Sequence, residues 1–198
     1  MKTLVIMADP KSDSFCSTVT ESYLKGAVEK KADVDLINLH QLKFNYNLID
    51  QTEQNSPDNL CLQPEEEDIK RLKDKILWCQ NIVFVYPIWF SFPPAIVKAF
   101  FDRVFHLGFS YKFRESTGEL EHLLKKKRVR VISICHCSPY LSFLMQYNFA
   151  NIMVKKLFSD LAGFNSVTVN VVNEGSKDHE KSLEGVLYRM YRLGLDDN

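Results

Sequence analysis

Three short stretches of this sequence carry side chains that could take part in binding or catalysis. Residues 9–18 (DPKSDSFCST) are rich in hydroxyl groups, and residues 87–93 (PIWFSFP) are rich in aromatic rings. Residues 135–140 (CHCSPY) place an imidazole, two thiols and a phenol close together. A hydroxyl-rich loop that leads into a helix can hold a phosphate, because the first N–H groups of a helix have no partner within it.

The hydroxyl-rich loop has two interpretations. Ser14, Ser17 and Thr18 could donate hydrogen bonds to an anion, and Lys11 could add positive charge. Alternatively, Ser14 or Ser17 could serve only as the N-cap of the helix that follows. The loop by itself is compatible with both.

The aromatic stretch and the cysteine-containing stretch also leave alternatives. Main-chain N–H groups and flat rings at 87–93 suit a planar heteroaromatic ligand, although the same rings could form a core or subunit contact. His136 could act as a catalytic acid, but most single histidines are structural. Cys135, His136 and Cys137 lack further ligands at zinc-binding spacing, so no metal site is predicted.

The hydrophobic pattern alternates between strands and helices along the chain. Asn81 begins an apolar run that ends at Tyr86, as expected for a strand buried on both faces, and Pro94 suits the first turn of the next helix. Five such strands separated by helices predict one α/β domain over residues 1–198, with a parallel sheet. The predicted strands are 3–8, 33–39, 81–86, 128–135 and 166–172, and the helices 17–31, 65–79, 95–104, 141–161 and about 181–192.

The three candidate stretches follow the first, third and fourth predicted strands. The carboxyl ends of parallel strands open on one edge of a sheet, which is where ligands bind in open α/β folds. Residues 44–64 are polar and lack periodicity, so they are interpreted as a flap, a subunit-contact arm or plain disorder.

Composition excludes several classes of function. Lys plus Arg and Asp plus Glu both number 25, so no net charge favours nucleic acid or an anionic membrane. No apolar run approaches the roughly 20 residues that span a bilayer. Five cysteines without an export signal indicate reduced thiols and a cytoplasmic location. The motifs GxGxxG, GxxxxGK[ST], GxSxG and HExxH are absent, which disfavours a Rossmann site, a P-loop and hydrolysis.

Two blocks of residues resemble the NAD(P)H:quinone oxidoreductase family. Residues 8–10 (Ala-Asp-Pro) and 14–16 (SFC) are similar to that family's AHP…SFN loop. Residues 87–90 (PIWF), 94–98 (PAIVK), 101–105 (FDRVF) and 108–111 (GFSY) are similar to its P-L-x-W…PAILK…FDRVF…GFAY signature, which is the more specific block. The likeness covers nearly the whole chain.

The resemblance implies a flavodoxin-like fold, with five parallel strands in the order 2-1-3-4-5 and helices on both faces. It also implies a homodimer that binds FMN or FAD, takes hydride from NAD(P)H and passes it to a quinone or similar acceptor in a ping-pong cycle. The short sequence after Arg192 leaves little room for a dinucleotide-holding domain and favours FMN over FAD.

The resemblance also assigns roles to particular residues. The phosphate arm would be held by Ser14, Phe15 and Cys16, and the isoalloxazine edge by backbone N–H groups between Pro87 and Phe90. His136 or Tyr140 could supply a proton to the acceptor. The full set expected to bind the cofactor is Asp9, Ser14, Phe15, Cys16, Ser17, Pro87, Ile88, Trp89, Phe90, Cys135, His136, Cys137 and Ser138.

The chain departs from the family pattern at several of these positions. Asp9 stands where the family has His, and a carboxylate repels a phosphate unless Lys11 or a water intervenes. Cys16 replaces Asn, and residues 135–138 (CHCS) replace a Thr-rich loop. The departures allow a second hypothesis, a non-catalytic or regulatory subunit such as an ancillary protein of a transporter. An electron carrier like flavodoxin is disfavoured, because those proteins are acidic and this chain is neutral.

Overall fold

The computed structural model describes residues 1–46, 66–124, 127–135, 149–164, 166–173 and 182–197. Strands and helices alternate along most of the described chain. The strands are β1 (Lys2–Met7), β2 (Asp33–Asn38), β3 (Asn81–Pro87), β4 (Tyr111–Phe113), β5 (Leu120–His122), β6 (Arg128–Cys135) and β7 (Ser166–Asn173). The α-helices are α1 (Phe15–Glu29), α2 (Glu67–Trp78), α3 (Ala95–Val104), α4 (Phe149–Lys156) and α5 (Leu183–Asp196).

Five of the strands form one parallel sheet in the order β2-β1-β3-β6-β7. When only the strands of this sheet are numbered, the order is 2-1-3-4-5, as predicted. The registers place the ends of β1, β3 and β6 side by side, with Met7 opposite Val85 and Pro87 opposite Ile134. These three strands therefore end at one edge of the sheet, as expected.

The core lies on both faces of this sheet, because the strands send alternate side chains to opposite sides. All seven residues of β3 are buried, as predicted for its first six. Phe84 packs with Phe100 and Phe101 of α3 and with Phe158, which follows α4. Residues from α1 and α5 form the second cluster on the opposite face. The layered arrangement of a flavodoxin-like fold is confirmed.

Helices α1 and α5 cross at two glycines. A Cβ atom on Gly26 would lie 2.0 Å from the Tyr191 carbonyl oxygen, and one on Gly194 would lie 2.1 Å from the Tyr23 carbonyl oxygen. Only residues without a Cβ allow the two backbones to approach so closely.

A partly buried ion pair attaches the end of α5 to the sheet. Nε and Nη2 of Arg130 lie 2.5 and 2.6 Å from the two carboxylate oxygens of Asp197. The Tyr23 hydroxyl on α1 donates to the same carboxylate at 3.0 Å. Three elements distant in sequence therefore meet at Asp197.

A second polar cluster joins the two ends of residues 47–65. Buried Arg103 donates to the Asn45 carbonyl oxygen at 3.0 Å and to Glu66 Oε2 at 2.6 Å, and the Asn45 N–H donates to Glu66 Oε1 at 2.7 Å. The chain therefore leaves and re-enters the described structure at one place. The predicted flap or arm itself lies almost wholly outside the described residues.

Some expectations were wrong in detail. Helix α1 begins at Phe15, two residues earlier than predicted, and Pro94 lies one residue before α3 rather than in its first turn. Val28 in α1 and Leu77 in α2 are apolar and were expected to be buried with the other apolar residues of these helices, but they are largely exposed. The antiparallel pair β4–β5 was not predicted, because strands of three residues are too short to show an alternating pattern.

The predicted helix over 141–161 is described from Phe149 onward. Beyond Lys156 it continues as one π-helical turn, Leu157–Leu161. Gly163 then has φ of 70°, the left-handed conformation expected for the glycine that ends a helix. No helix in the described ranges is both long and apolar enough to cross a membrane.

Candidate functional site

The hydroxyl-rich loop, the aromatic loop and the end of β6 enclose a cleft of about 390 Å³ at the carboxyl edge of the sheet. This volume lies within the range of roughly 300–1,000 Å³ that is usual for small-molecule sites. The hydroxyl-rich loop forms one side and the aromatic loop the other. The lining residues are Asp9, Pro10, Lys11, Asp13, Ser14, Phe15, Cys16, Pro87, Ile88, Trp89 and Ile134.

Ser14 both caps α1 and lines the cleft. Its Oγ accepts a hydrogen bond from the Ser17 N–H at 3.2 Å, so the capping interpretation is confirmed. The Ser17 hydroxyl lies 3.3 Å from Ser14 Oγ and does not line the cleft, and the Thr18 hydroxyl donates to the Ser14 carbonyl oxygen at 3.2 Å. The first turn of α1, at Phe15 and Cys16, is thus the part that faces the cleft.

Asp9 is a buried carboxylate at the same end of the cleft, with an exposed fraction of 6%. Its Oδ1 accepts a hydrogen bond from the Lys11 N–H at 3.0 Å, and its carbonyl oxygen accepts one from Asn38 Nδ2 at 3.0 Å. Nearby, burial lowers the pKa of the His40 imidazole, an effect that the negative charge of Asp9 opposes. The first loop is therefore held in shape by its own carboxylate.

The aromatic loop is a tight turn over residues 89–92. The Trp89 N–H donates to the Phe92 carbonyl oxygen at 2.8 Å, and the Phe92 N–H donates back at 2.9 Å. Phe90 and Ser91 both have positive φ, 50° and 67°, as in type I′ turns, where glycine or asparagine is usual. Two non-glycine residues therefore hold a strained backbone at the mouth of the cleft.

This geometry reduces the number of main-chain N–H groups in the aromatic loop that could donate to a ligand. Pro87 has no N–H, and the Ile88 N–H donates to the Ile134 carbonyl oxygen at 2.7 Å, as part of the ladder between β3 and β6. The Trp89 N–H is used within the turn. Two further N–H groups of the loop, those of Phe90 and Ser91, lie at the tip of the turn, and neither residue lines the cleft.

The rings of this turn stand out from the protein. Trp89 and Phe92 are 44% and 52% exposed, and Phe90 is fully exposed. The Phe92 ring packs edge-on against Phe149 at the start of α4, with centroids 6.0 Å apart. Ile152, one turn along α4, is also exposed. We call these five residues the aromatic patch.

The structure brings together most of the predicted site residues that it describes. Asp9, Ser14, Phe15, Cys16, Pro87, Ile88 and Trp89 line one cleft. Phe90 lies at the tip of the turn, and Cys135 is buried at the end of β6. His136, Cys137, Ser138 and Tyr140 lie outside the described residues, so their assigned roles stay predictions.

Sequence reasoning missed three lining residues, Pro10, Asp13 and Ile134, although Pro10 belongs to the Ala-Asp-Pro motif. The signal for Ile134 was present, because it is the penultimate residue of a predicted strand beside the one that ends at Pro87. Asp13 lies in the loop already singled out for its hydroxyls. Within the described part of the chain, no three His, Cys, Asp or Glu side chains form a group that could hold a metal ion.

Comparison with known proteins defines the class to which this fold and cleft belong. Residues 1–192 match the model of a protein family described as having a flavodoxin-like fold, so the chain belongs to that family. An NAD(P)H:quinone oxidoreductase from Methanothermobacter marburgensis has a similar structure, with a TM-score of 0.81 and 21% identity over 100% of this chain and 99% of that one. This likeness confirms the fold.

Curated relatives narrow the resemblance. The chain is 34% identical to an uncharacterized NAD(P)H oxidoreductase of Haemophilus influenzae. That alignment of 131 residues covers 66% of this chain and 62% of the Haemophilus protein. It is also 26% identical, over 198 residues, to an FMN-dependent NADH:quinone oxidoreductase of Caldicellulosiruptor saccharolyticus. This alignment covers 94% of each of the two proteins. The chain thus spans about three fifths of the Haemophilus protein. The predicted resemblance to NAD(P)H:quinone oxidoreductases is confirmed.

Proposed function

We propose that this protein is an FMN-dependent NAD(P)H oxidoreductase that delivers two electrons to quinones or similar acceptors in a ping-pong cycle. The observation that carries the proposal is the cleft between the first turn of α1 and the aromatic turn at 89–92. The names of the NAD(P)H-dependent and FMN-dependent relatives support it.

The residues of the cleft fit an elongated ligand with a flat ring and an anionic tail. Ile88, Trp89 and Ile134 offer apolar surface at one side. Ser14 and the first turn of α1 offer N–H groups and the positive end of a helix dipole at the other. FMN combines these two features, and FAD is the alternative ligand.

When bound, FMN would accept and donate the hydride, and the protein would position it. Ser14, Phe15 and Cys16 hold the phosphate. Ile88 and Trp89 exclude water from the ring, while the N–H groups of the strained turn donate to its polar edge. By the family resemblance, His136 or Tyr140 would supply the proton that the acceptor needs, and residues 135–138 would contact the ring.

The test is a flavin titration followed by steady-state kinetics. We expect the purified protein to bind FMN, show a yellow flavin spectrum and oxidise NADH or NADPH with menadione. Double-reciprocal plots at several menadione concentrations should be parallel, as a ping-pong cycle requires. A protein that binds no flavin and oxidises neither nucleotide would overturn the proposal and favour the non-catalytic, regulatory subunit. The mass of the co-purified flavin distinguishes FMN from FAD.

The aromatic patch supports a homodimer with the cleft at the subunit interface. Exposed apolar side chains grouped beside a site mark interaction surfaces more often than isolated ones do. Light scattering after gel filtration should give twice the mass of the chain, and Ile152→Arg should shift it toward the monomer. Wild-type monomer at micromolar concentration would contradict the dimer.

The state of the cysteines supports a reducing compartment. Cys79 is a free thiol, and it is buried, as are Cys16 and Cys135. Burial raises the pKa of the Cys79 thiol to about 11, which leaves it protonated and unreactive at neutral pH. We accordingly place the protein in the cytoplasm, which cell fractionation with an antibody against the chain can test.

A further inference from the structure

Asp9 puts a negative charge where the proposed function puts a phosphate. Its side chain and the first turn of α1 line the same cleft of about 390 Å³. The Asp9 carboxylate and a phosphate at α1 would both lie within this cleft. Their separation would then be at most comparable to the Debye length, about 8–10 Å in physiological salt. A phosphate with about two negative charges at α1 is therefore within reach of the carboxylate.

The charges near Asp9 do not cancel it. The Lys11 side chain is exposed, so water and salt screen its charge, whereas Asp9 is 6% exposed and is screened much less. Burial lowers the pKa of His40, which keeps that imidazole neutral at pH 7. Asn38 donates to the Asp9 backbone carbonyl, not to its carboxylate. Within the described ranges, no cationic side chain forms an ion pair with Asp9.

We infer that Asp9 sets the charge preference of the cleft, by opposing a phosphate at the start of α1. Riboflavin lacks the phosphate. The preference of the chain for FMN over riboflavin would therefore be much smaller than the helix terminus alone would give. Flavin would accordingly exchange readily with solution instead of staying permanently bound. This inference rests on the proposed function, because it assumes a flavin in the cleft.

The test compares Asp9→Asn with wild type, using quenching of flavin fluorescence to measure the Kd of FMN and of riboflavin. Asparagine keeps the Oδ1 acceptor for the Lys11 N–H and removes only the charge. If Asp9→Asn unfolds, Asp9→Ser retains an acceptor for the same turn and removes the same charge. Asp13→Asn is the matched control, because Asp13 lines the same cleft but is exposed.

We expect Asp9→Asn to bind FMN about tenfold more tightly, since a unit charge at this range and at intermediate dielectric has an effect of that order. Riboflavin binding should change less than about twofold, and Asp13→Asn should change FMN binding much less, because its charge is screened. Equal shifts for both flavins, or weaker FMN binding, would overturn the inference while leaving the flavin site intact. Absence of binding by wild type and all variants would overturn the proposed function, and this inference with it.

Discussion

Trp89 gives the cleft its aromatic wall, and its removal tests where the ring lies. We expect Trp89→Ala to weaken FMN binding about tenfold, because an aromatic contact contributes on the order of 1 kcal/mol beyond its buried area. The melting temperature should hardly change, since Trp89 is 44% exposed. Phe113→Ala, an equally exposed aromatic on β4, is the control. Unchanged FMN affinity in Trp89→Ala would place the ring elsewhere.

Ser91 holds a backbone conformation that side chains disfavour. Relief of positive φ in an L-residue is worth on the order of 1 kcal/mol, and the added freedom of glycine in the unfolded chain removes part of it. Ser91→Gly should therefore raise the free energy of unfolding by about 0.5 kcal/mol in urea titrations. Ser12→Gly, at an exposed loop position without positive φ, should lower it by a similar amount. A destabilised Ser91→Gly protein would mean that the turn is not strained.

Neither the burial of Asp9 nor the hydrogen bonding of the aromatic loop could be predicted from the sequence alone. The type of residue 9 is evident, but its burial depends on packing against Asn38, 29 positions away. The aromatic loop was selected from the motif PIWF, and three of its residues line the cleft, yet which of its N–H groups are used by the ladder and the turn depends on the pairing with β6.

Among the helices, the contact of α1 with α5 depends on two glycines. Alanine is favoured over glycine in helices by about 1 kcal/mol, but a Cβ at Gly26 would meet a backbone carbonyl oxygen at 2.0 Å. The steric effect should dominate, so Gly26→Ala should lower the free energy of unfolding by roughly 2–3 kcal/mol.

Chemical denaturation of Gly26→Ala beside Lys25→Ala checks this prediction. Lys25 precedes Gly26 on the exposed face of α1, and its replacement should change stability by less than about 0.5 kcal/mol. A stable Gly26→Ala protein would show that α1 and α5 can separate at little cost.

Element by element, the sequence predicted the five sheet strands and the helices between them, because their apolar runs are long enough to show a period. β3 and α3 were the clearest, and α3 has the predicted bounds Ala95–Val104. The pair β4–β5 and the extended start of α1 were missed. Their positions depend on a turn at 106–110 and on the Ser14 cap, neither of which has a strong pattern in the sequence.

At the scale of the whole molecule, Asp197 fastens the end of the described chain to the sheet. The side chains of Arg130 and Asp197 are 14% and 12% exposed, so loss of one partner leaves a partly buried charge unpaired. Asp197→Asn should therefore lower the free energy of unfolding by about 2 kcal/mol, between the values for exposed and for fully buried pairs. Asp196→Asn removes the same charge one residue earlier, where the carboxylate is exposed and acts on Arg130 only through space, so its effect on stability should be clearly smaller. Equal stability of the two variants would refute the role of the pair.

The sequence by itself determined the order of strands and helices, the edge of the sheet that carries the candidate site, and the family. These follow from local periodicity and from short motifs such as PIWF and FDRVF, which act within a few neighbouring residues. Only the tertiary structure decided that Asp9 is buried in the cleft and that the N–H groups of Ile88 and Trp89 already donate hydrogen bonds within the protein. It also decided that α1 touches α5 through glycines. Burial and hydrogen-bond partners are set by residues far apart in the chain, and no local pattern records them.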